Sequence, residues 1–164
     1  MKLYINSVIT VVLFFFSILE MSAQTAGQNY IVTTVPTAPV TDPTTLTDAN
    51  SNSTIQYFDG LGRPMETVQR GITPTGADLV ALTEYDGFGR EYLRWLPVAN
   101  AGSGAYVDAA TFKTNAAGFY TGLAGDSYPY ATTEYEASPL NRVTGQYGAG
   151  AAWNNPTSPK KVKT

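Results

Sequence analysis

Hydrophobic and polar residues alternate in short runs along the middle of the chain. Thr54–Phe58 is one such run, and Arg63–Arg70 is another, with Pro64 near its start, where a missing backbone donor is tolerated. The segment Asp59–Gly62 between them has the composition of a turn. Two extended runs joined by a short Gly-containing segment predict a β-hairpin.

The same arrangement predicts two further hairpins. Leu79–Tyr85 and Arg90–Val98 flank the turn segment Asp86–Gly89. Tyr128–Tyr135 and Arg142–Tyr147 form the third pair of runs. The chain is therefore predicted to be mainly β, built from short antiparallel hairpins.

One helix is predicted to pack alongside these hairpins. Its apolar residues lie at i, i+4, i+7, i+8 and i+11, which places them on one helix face: Phe112, Ala116, Phe119, Tyr120 and Leu123. Asp108 is a suitable N-cap, and Gly122 or Gly125 would end the helix. An irregular Gly/Ala loop is the alternative interpretation.

The start of the chain has the pattern of a secretory signal peptide. Lys2 gives a positive start, Glu20 closes the apolar run Val8–Leu19, and the small residues Ser22 and Ala23 follow. We expect cleavage after Ala23 and export of the product. An uncleaved membrane anchor is the alternative, but the run is shorter than the ~20 residues that a spanning helix needs.

Four segments follow from these patterns: a signal peptide over residues 1–23, a disordered or extended linker over 24–53, a β module over 54–153 and a disordered tail over 154–164. The linker is predicted because its Thr, Pro, Asp, Asn and Ser residues bury little apolar surface. The tail is predicted because large apolar residues are scarce there.

The composition argues against several classes of function. The chain contains no cysteine and no histidine, so disulfides, Cys/His zinc sites and His-dependent nucleophilic triads cannot form. A net charge of −3 is too mild to indicate nucleic-acid binding. We predict a chain that is not an enzyme, with no cofactor, no metal and no nucleic-acid partner.

The three predicted turns share one pattern: an aromatic residue, a carboxylate, a turn and then an arginine. They read Phe58-Asp59-Gly60-Leu61-Gly62-Arg63, Tyr85-Asp86-Gly87-Phe88-Gly89-Arg90 and Tyr135-Glu136-Ala137-Ser138-Pro139-Leu140-Asn141-Arg142. The Asp-Gly pairs are expected to supply the positive φ of tight hairpin turns, and the second glycine another left-handed or close-packed position. Each arginine can pair with its carboxylate or lie over a neighbouring tyrosine ring.

Ligand chemistry is the alternative for these turns. Asp59 and Asp86 are candidate calcium ligands, although each turn offers one carboxylate where calcium needs several oxygens. With Glu84 and Glu91 they are also candidates for a His-free hydrolase, which would require the carboxylates to converge in one pocket.

Two tryptophans are candidates for stacking on sugars. They are Trp95 and Trp153, and for each the core interpretation is favoured, because Trp95 lies in an apolar strand. A flat row of solvent-exposed tyrosine and tryptophan rings would support the sugar-binding interpretation.

The segments YFDGLGR and YDGFGR resemble the YD repeats of RHS proteins. The order of leader, Thr/Pro segment, the two motifs, a helix and EYEASPLNRV resembles the N-terminal domain of unknown function of large secreted bacterial RHS-repeat proteins, here truncated. Related RHS and teneurin-like proteins wind their repeats into a β-shell, and in toxin systems the shell encloses an effector.

The resemblance implies a structural role for the motif residues. These are Phe58, Asp59, Gly60, Gly62, Arg63, Tyr85, Asp86, Gly87, Gly89, Arg90, Tyr135, Glu136 and Arg142. It also implies a secreted or cell-surface module whose partners are further RHS/YD repeats, in a toxin-delivery or cell-surface interaction system. A surface carbohydrate-binding module with glycan contact is the alternative function.

Overall fold

A single antiparallel sheet runs through the chain, which confirms the predicted fold class. The computed structural model describes Thr25, residues 27–154 and residues 160–162. The predicted signal peptide, residues 1–23, lies outside the described residues. None of the described helices is long and apolar enough to cross a membrane.

Nine strands are described, in the spatial order β1-β2-β3-β4-β5-β7-β8-β9, with β6 paired to β4 beside β5. Their bounds are β1 Asn29–Pro36, β2 Ser51–Phe58, β3 Pro64–Gln69, β4 Asp78–Tyr85, β5 Glu91–Trp95, β6 Val98–Asn100, β7 Tyr130–Tyr135, β8 Val143–Tyr147 and β9 Lys161–Val162. All pairs are antiparallel. The three predicted hairpins are present as β2–β3, β4–β5 and β7–β8.

The predicted helix is confirmed as α1, Ala109–Ala124. The Asp108 carboxylate accepts hydrogen bonds from the backbone N–H groups of Ala110 and Thr111, as expected of an N-cap. Of the two predicted ends, Gly125 is the one observed, at φ 63°. The shorter elements are a 3₁₀ helix, Pro43–Thr45, and α2, Ala151–Asn154.

The structure differs from the predicted linker over residues 24–53. Residues 29–36 form β1, which pairs along its whole length with β2. All eight residues of β1 are exposed, so backbone hydrogen bonds rather than burial hold this strand. Low apolar content predicts little burial, but it does not preclude pairing with a neighbouring strand.

The predicted tail also contains structure. Lys161–Val162 forms β9 and pairs with β8, and Asn154 is the last residue of α2. The Asn154 side chain donates to the Tyr130 carbonyl at 2.8 Å. The other residues of the segment 154–164, apart from Lys160, lie outside the described residues.

The core lies on one face of β2, β3 and β4 under α1. Its buried residues alternate along each strand, as expected when one sheet face is covered: Ile55, Tyr57, Val68, Val80, Leu82 and Val98, joined by Phe112 and Ala116 of α1. Burying side chains of this size stabilises the fold by about 1.5–3 kcal/mol each. The Tyr57 hydroxyl donates to the Gly104 carbonyl at 2.6 Å, which satisfies its polar end within the core.

Asp78 ties two loops to this core. Its buried carboxylate accepts backbone N–H groups from Gly71 at 2.9 Å, Ser103 at 3.0 Å and Gly104 at 2.7 Å. A buried carboxylate with several donors is well compensated for the loss of water. The loop 101–107 is thereby held against the sheet just before α1.

Glu66 is a buried carboxyl group with fewer hydrogen-bond donors than Asp78. Its side chain faces the core and only 1% of the residue is exposed. One carboxyl oxygen accepts the Val107 N–H at 3.1 Å, and the other has no hydrogen-bond partner. Burial raises the pKa of Glu66 to about 7, against the smaller lowering effect of the Val107 bond.

Glu66 is expected to make stability depend on pH between about 4.5 and about 7. Its pKa in the folded chain lies above its unfolded value, so the folded chain retains the proton and stability falls as the pH rises through this range. The loss is roughly 3 kcal/mol when complete, at about 1.4 kcal/mol per unit. Urea unfolding at several pH values from about 5 to about 8 measures it.

Glu66→Gln removes the titrating group and keeps an oxygen for Val107, so its unfolding free energy should stay flat over that range. Glu91→Gln is the matched control, because Glu91 is a more exposed carboxylate paired with Arg94 at 2.6 Å. It should retain the wild-type slope. A wild-type unfolding free energy that does not change with pH would contradict the assignment.

Candidate functional site

The three motif turns form one row at one end of the sheet. We call residues 59–63, 86–90 and 136–142 the turn row. They connect β2 to β3, β4 to β5 and β7 to β8, which follow one another across the sheet. Hairpins of the same direction in one antiparallel sheet place their turns at the same end. The motif that repeats along the sequence therefore also repeats in space along this end of the sheet.

In the first turn, the Asp59 carboxylate performs two tasks. One oxygen accepts the backbone N–H groups of Leu61 and Arg63, each at 2.9 Å. The other accepts the Arg63 side-chain nitrogens Nε and Nη2, both at 2.7 Å. The backbone bond from Gly62 to the Asp59 carbonyl, at 3.0 Å, closes the turn itself.

The second turn repeats this geometry. Asp86 accepts the backbone N–H groups of Phe88 and Arg90 at 2.9 Å, and Arg90 Nε at 2.7 Å. Gly89 donates to the Asp86 carbonyl at 2.9 Å. The predicted pairing of each arginine with its own carboxylate is confirmed in both turns.

The third turn reaches the same result with two more residues. Glu136 accepts Arg142 Nε at 3.1 Å and the Ser138 hydroxyl at 2.6 Å. Ser138 in turn accepts the Leu140 N–H at 3.2 Å, as the aspartate does in the shorter turns. The longer side chain of glutamate spans the added residues. Ser138 and Asn141 were not among the predicted motif residues.

The positive φ angles are found at the last turn residue and not at the Asp-Gly pair. Gly62 and Gly89 have φ of 78° and 80°, and Asn141 has φ of 53° in the equivalent place. Gly60 and Gly87 do not have positive φ. The prediction for Asp-Gly was wrong because each turn has ordinary central residues followed by one left-handed residue, and the strand register shifts just before each turn.

Hydrogen bonding keeps the turn carboxyl groups ionised. The bond from the Arg63 backbone N–H is the largest effect that lowers the pKa of Asp59. Burial raises the pKa of Asp86, but bonds from Arg90 and Phe88 outweigh it and the net pKa is lowered. The Ser138 hydroxyl and then Arg142 lower the pKa of Glu136. All three groups therefore suit charge pairing better than proton donation.

The arginines of the first two turns also cover the ring of the next turn along the sheet. The Arg63 guanidinium lies 4.4 Å from the centre of the Tyr85 ring, and that of Arg90 lies 4.7 Å from the Tyr135 ring. The two contacts proposed from the sequence as alternatives, carboxylate and ring, thus occur together. One guanidinium bonds within its own turn and stacks on the next.

The covered tyrosines return a hydrogen bond to the preceding hairpin. The Tyr85 hydroxyl donates to the Pro64 carbonyl at 2.7 Å, and that of Tyr135 donates to the Glu91 carbonyl at 2.8 Å. In both cases the acceptor directly follows the stacked arginine. Successive hairpins are therefore joined by a matching ring contact and hydrogen bond.

Phe58 occupies the aromatic position of the first turn but differs from the tyrosines. It lacks a hydroxyl, and within the part of the chain that the structure describes no arginine lies over its ring. It pairs with Asn29 of β1. The first hairpin therefore begins the series of contacts and Glu136–Arg142 ends it among the described residues.

The apolar residues at the turn tips were missed by the sequence analysis. Leu61, Phe88 and Leu140 lie two residues before the arginine of their turn and are between 69% and 84% exposed. The sequence feature that could have identified them is their shared position in the three motifs. They form a row of separated apolar side chains along the end of the sheet.

The alternative chemical sites are not assembled. Asp59 and Asp86 lie in different turns, each with its own arginine, and Glu84 instead binds Trp95 Nε1 at 2.7 Å and Lys113 at 2.6 Å. The described residues contain no group of carboxylates that could hold a metal ion. Glu91 pairs with Arg94 at 2.6 Å, so each of the four carboxylates has a basic partner of its own, and among the described residues they are not gathered into one site.

The tryptophans do not form an exposed aromatic row. Trp95 packs against Phe112 and Tyr130, at 6.2 Å and 4.7 Å between ring centres. Trp153 is 54% exposed, with Lys160 5.7 Å above its ring. Trp95 therefore fits the favoured core interpretation, and Trp153 is the remaining candidate for contact with sugars.

A comparison with protein families identifies the chain at the level of its domain. The family model described as Domain of unknown function (DUF6443) matches residues 31–164. The chain belongs to the DUF6443 family. No curated protein and no solved structure matches it. The matched region of this DUF6443 chain includes the whole turn row, and the family description names neither a repeat type nor an activity.

The two glycines of one turn are expected to respond differently to substitution. Gly62→Ala should destabilise the DUF6443 chain by about 1–2 kcal/mol, because an L-residue at φ 78° is strained. Gly60→Ala is the matched control, with open space around its added Cβ, and should change stability by less than about 0.5 kcal/mol. Chemical denaturation of both variants checks this, and equal losses would contradict the turn geometry.

Arg90 and Tyr135 are expected to be energetically coupled by about 0.5–2 kcal/mol. A double-mutant cycle with Arg90→Met and Tyr135→Leu measures this coupling energy. The loss of the Arg90–Asp86 pairing cancels, because Arg90→Met removes that pairing whether residue 135 is tyrosine or leucine. Tyr135→Phe separates the ring contact from the hydroxyl bond. The control cycle combines Arg90→Met with Tyr92→Leu, because the Arg90 guanidinium does not lie over the Tyr92 ring. The coupling energy in this cycle should be near zero.

Proposed function

We propose that this DUF6443 chain is a non-enzymatic structural module of a secreted RHS/YD-repeat protein. It contributes β-hairpins to a shell or surface array within a toxin-delivery or cell-surface interaction system. The observation that carries the proposal is the pair of turn-to-turn contacts, Arg63 on Tyr85 and Arg90 on Tyr135. The motif residues hold neighbouring hairpins together.

The use of charge in the turn row supports this proposal. Each arginine is neutralised by its own carboxylate, at distances of 2.7–3.0 Å. Arg90 also donates to the Glu136 carbonyl at 3.2 Å and to Asn141 at 3.1 Å. A guanidinium with several protein partners has few donors left for a ligand. The same residues are well suited to fix the spacing of stacked hairpins.

The end of the series supports an extended array. The Arg142 side chain is 70% exposed and pairs with Glu136, but no ring of a described residue covers it. By the rule of the first two turns, the missing group is a tyrosine just before another acidic turn. The natural partners are therefore further RHS/YD repeats. Export rests on the leader pattern of residues 1–23 and is part of the same proposal.

Carbohydrate binding is the second candidate function, and exposed Trp153 is the observation that favours it. A glycan array probed with the purified chain tests it. Binding that is lost in Trp153→Ala and retained in Phe119→Ala, an aromatic of α1 that is 45% exposed, would favour this function. No binding would count against it.

A native assembly analysis tests the structural proposal. We expect chemical cross-linking and peptide mass spectrometry of the secreted fraction of the source cells to link this chain to segments with the aromatic, carboxylate, turn and arginine pattern. Cross-links should concentrate near Arg142. Recovery of the chain as an intracellular species without such neighbours would contradict the proposal.

Arg142→Ala supplies the matched comparison in that experiment. It removes the exposed guanidinium at the end of the series and leaves the Arg63 and Arg90 contacts in place. Fewer cross-links to neighbouring repeats are expected, with unchanged melting. Arg94→Ala is the control, because Arg94 is similarly exposed, at 69%, but lies outside the turn row.

A further inference from the structure

No strand of the described residues pairs with the outer edge of β1, which is long and uncharged. Residues 29–36 include no charged side chain, and Tyr30, Ile31, Val32 and Val35 are between 41% and 58% exposed. Exposed edges of this length are usually guarded by charges, bulges or very short strands. In β1 the feature that protects against edge pairing is Pro36, at the end of the strand.

The register shows which backbone groups the edge presents. The Thr37 N–H donates to the Asn50 carbonyl, and on the other side of β2 the Arg70 N–H donates to the Ser53 carbonyl. Hydrogen-bonded pairs alternate along antiparallel strands, so the odd residues of β1 bond to β2. The N–H and C=O groups of Tyr30, Val32 and Thr34 therefore point outward.

We propose that β1 pairs with β1 of a second copy of this chain, antiparallel and about a two-fold axis at Val32. In this register Val32 lies opposite the partner's Val32, and Tyr30 lies opposite the partner's Thr34. The three outward N–H groups and three outward carbonyls of each strand then satisfy one another. Pro36, which has no N–H, lies outside this central set.

The chemistry of the β1 edge favours this partner. Two-fold pairing requires a surface that complements itself. β1 opposes no like charges when paired with itself, and it brings the exposed Tyr30, Ile31, Val32 and Val35 of both copies together on the two sheet faces.

This inference goes beyond the proposed function and does not depend on it. The two-fold contact uses the β1 edge, whereas the turn row lies at one end of the sheet, and its uncovered arginine, Arg142, is the last residue of the turn between β7 and β8. Loss of one contact leaves the other intact, so the experiments on the two surfaces can fail separately.

Sedimentation analysis of the natively processed chain over a concentration series tests the pairing. We expect a mass of two copies, with Val32→Lys raising the dimer dissociation constant about tenfold or more because like charges would then lie directly opposite. Thr37→Lys, beyond Pro36 on the same chain, is the matched control and should leave the dimer unchanged. A monomer at all concentrations would overturn the proposal.

Charge exchange and cross-linking test the register itself. Val32→Lys mixed with Val32→Glu should restore the dimer, since the two positions face each other. Val32→Cys, in a chain with no native cysteine, should form an intermolecular disulfide, because opposite residues of a hydrogen-bonded pair lie about 5.5 Å apart at Cα. Val35→Cys should not. Cross-linking at both positions alike, or a dimer that tolerates Val32→Lys, would overturn the two-fold arrangement.

Discussion

The double use of one guanidinium organises the turn end of this protein. Arg63 and Arg90 each bind the carboxylate of their own turn and cover the tyrosine of the next. The carboxylate fixes the arginine side chain, so less conformational entropy is lost when the guanidinium stacks on the ring. The turn shape and the spacing between hairpins are thereby specified by the same group.

This contact matters most for the third hairpin. The main buried cluster takes its residues from β2, β3, β4, β6 and α1, and none of them comes from β7 or β8. The β7–β8 hairpin is held instead by pairing with β5, by Trp95 against Tyr130, and by the bonds of Arg90 to Glu136 and Asn141. Where burial is limited, directional contacts supply the fixed geometry.

Hairpins and helix ends, which depend on neighbouring residues, could be predicted from the sequence. Strand pairing between residues far apart in the sequence could not. The three hairpins and α1 follow from alternation, turn composition and the Asp108 cap. β1 was missed because fourteen residues separate it from its partner, β2, and because all of its own residues are exposed. The glycine that takes positive φ depends on the turn class, which composition leaves open. Glu66 was detectable, since strand alternation places it on the face of buried Val68.

The direction of the turn contacts explains why the two sides of the sheet differ. Arg63 and Arg90 both reach toward the β9 side of the sheet, so Tyr85 and Tyr135 each have a preceding hairpin to bind. Phe58, the first ring, has no preceding motif turn, and it is the one aromatic of the three without a hydroxyl. β1 lies beside Phe58, with Asn29 paired to it, so the neighbour of this ring is a strand that does not follow a motif turn. Among the described residues the series of contacts therefore runs from Arg63 to Tyr135. The β1 edge takes no part in it and is available for pairing of another kind.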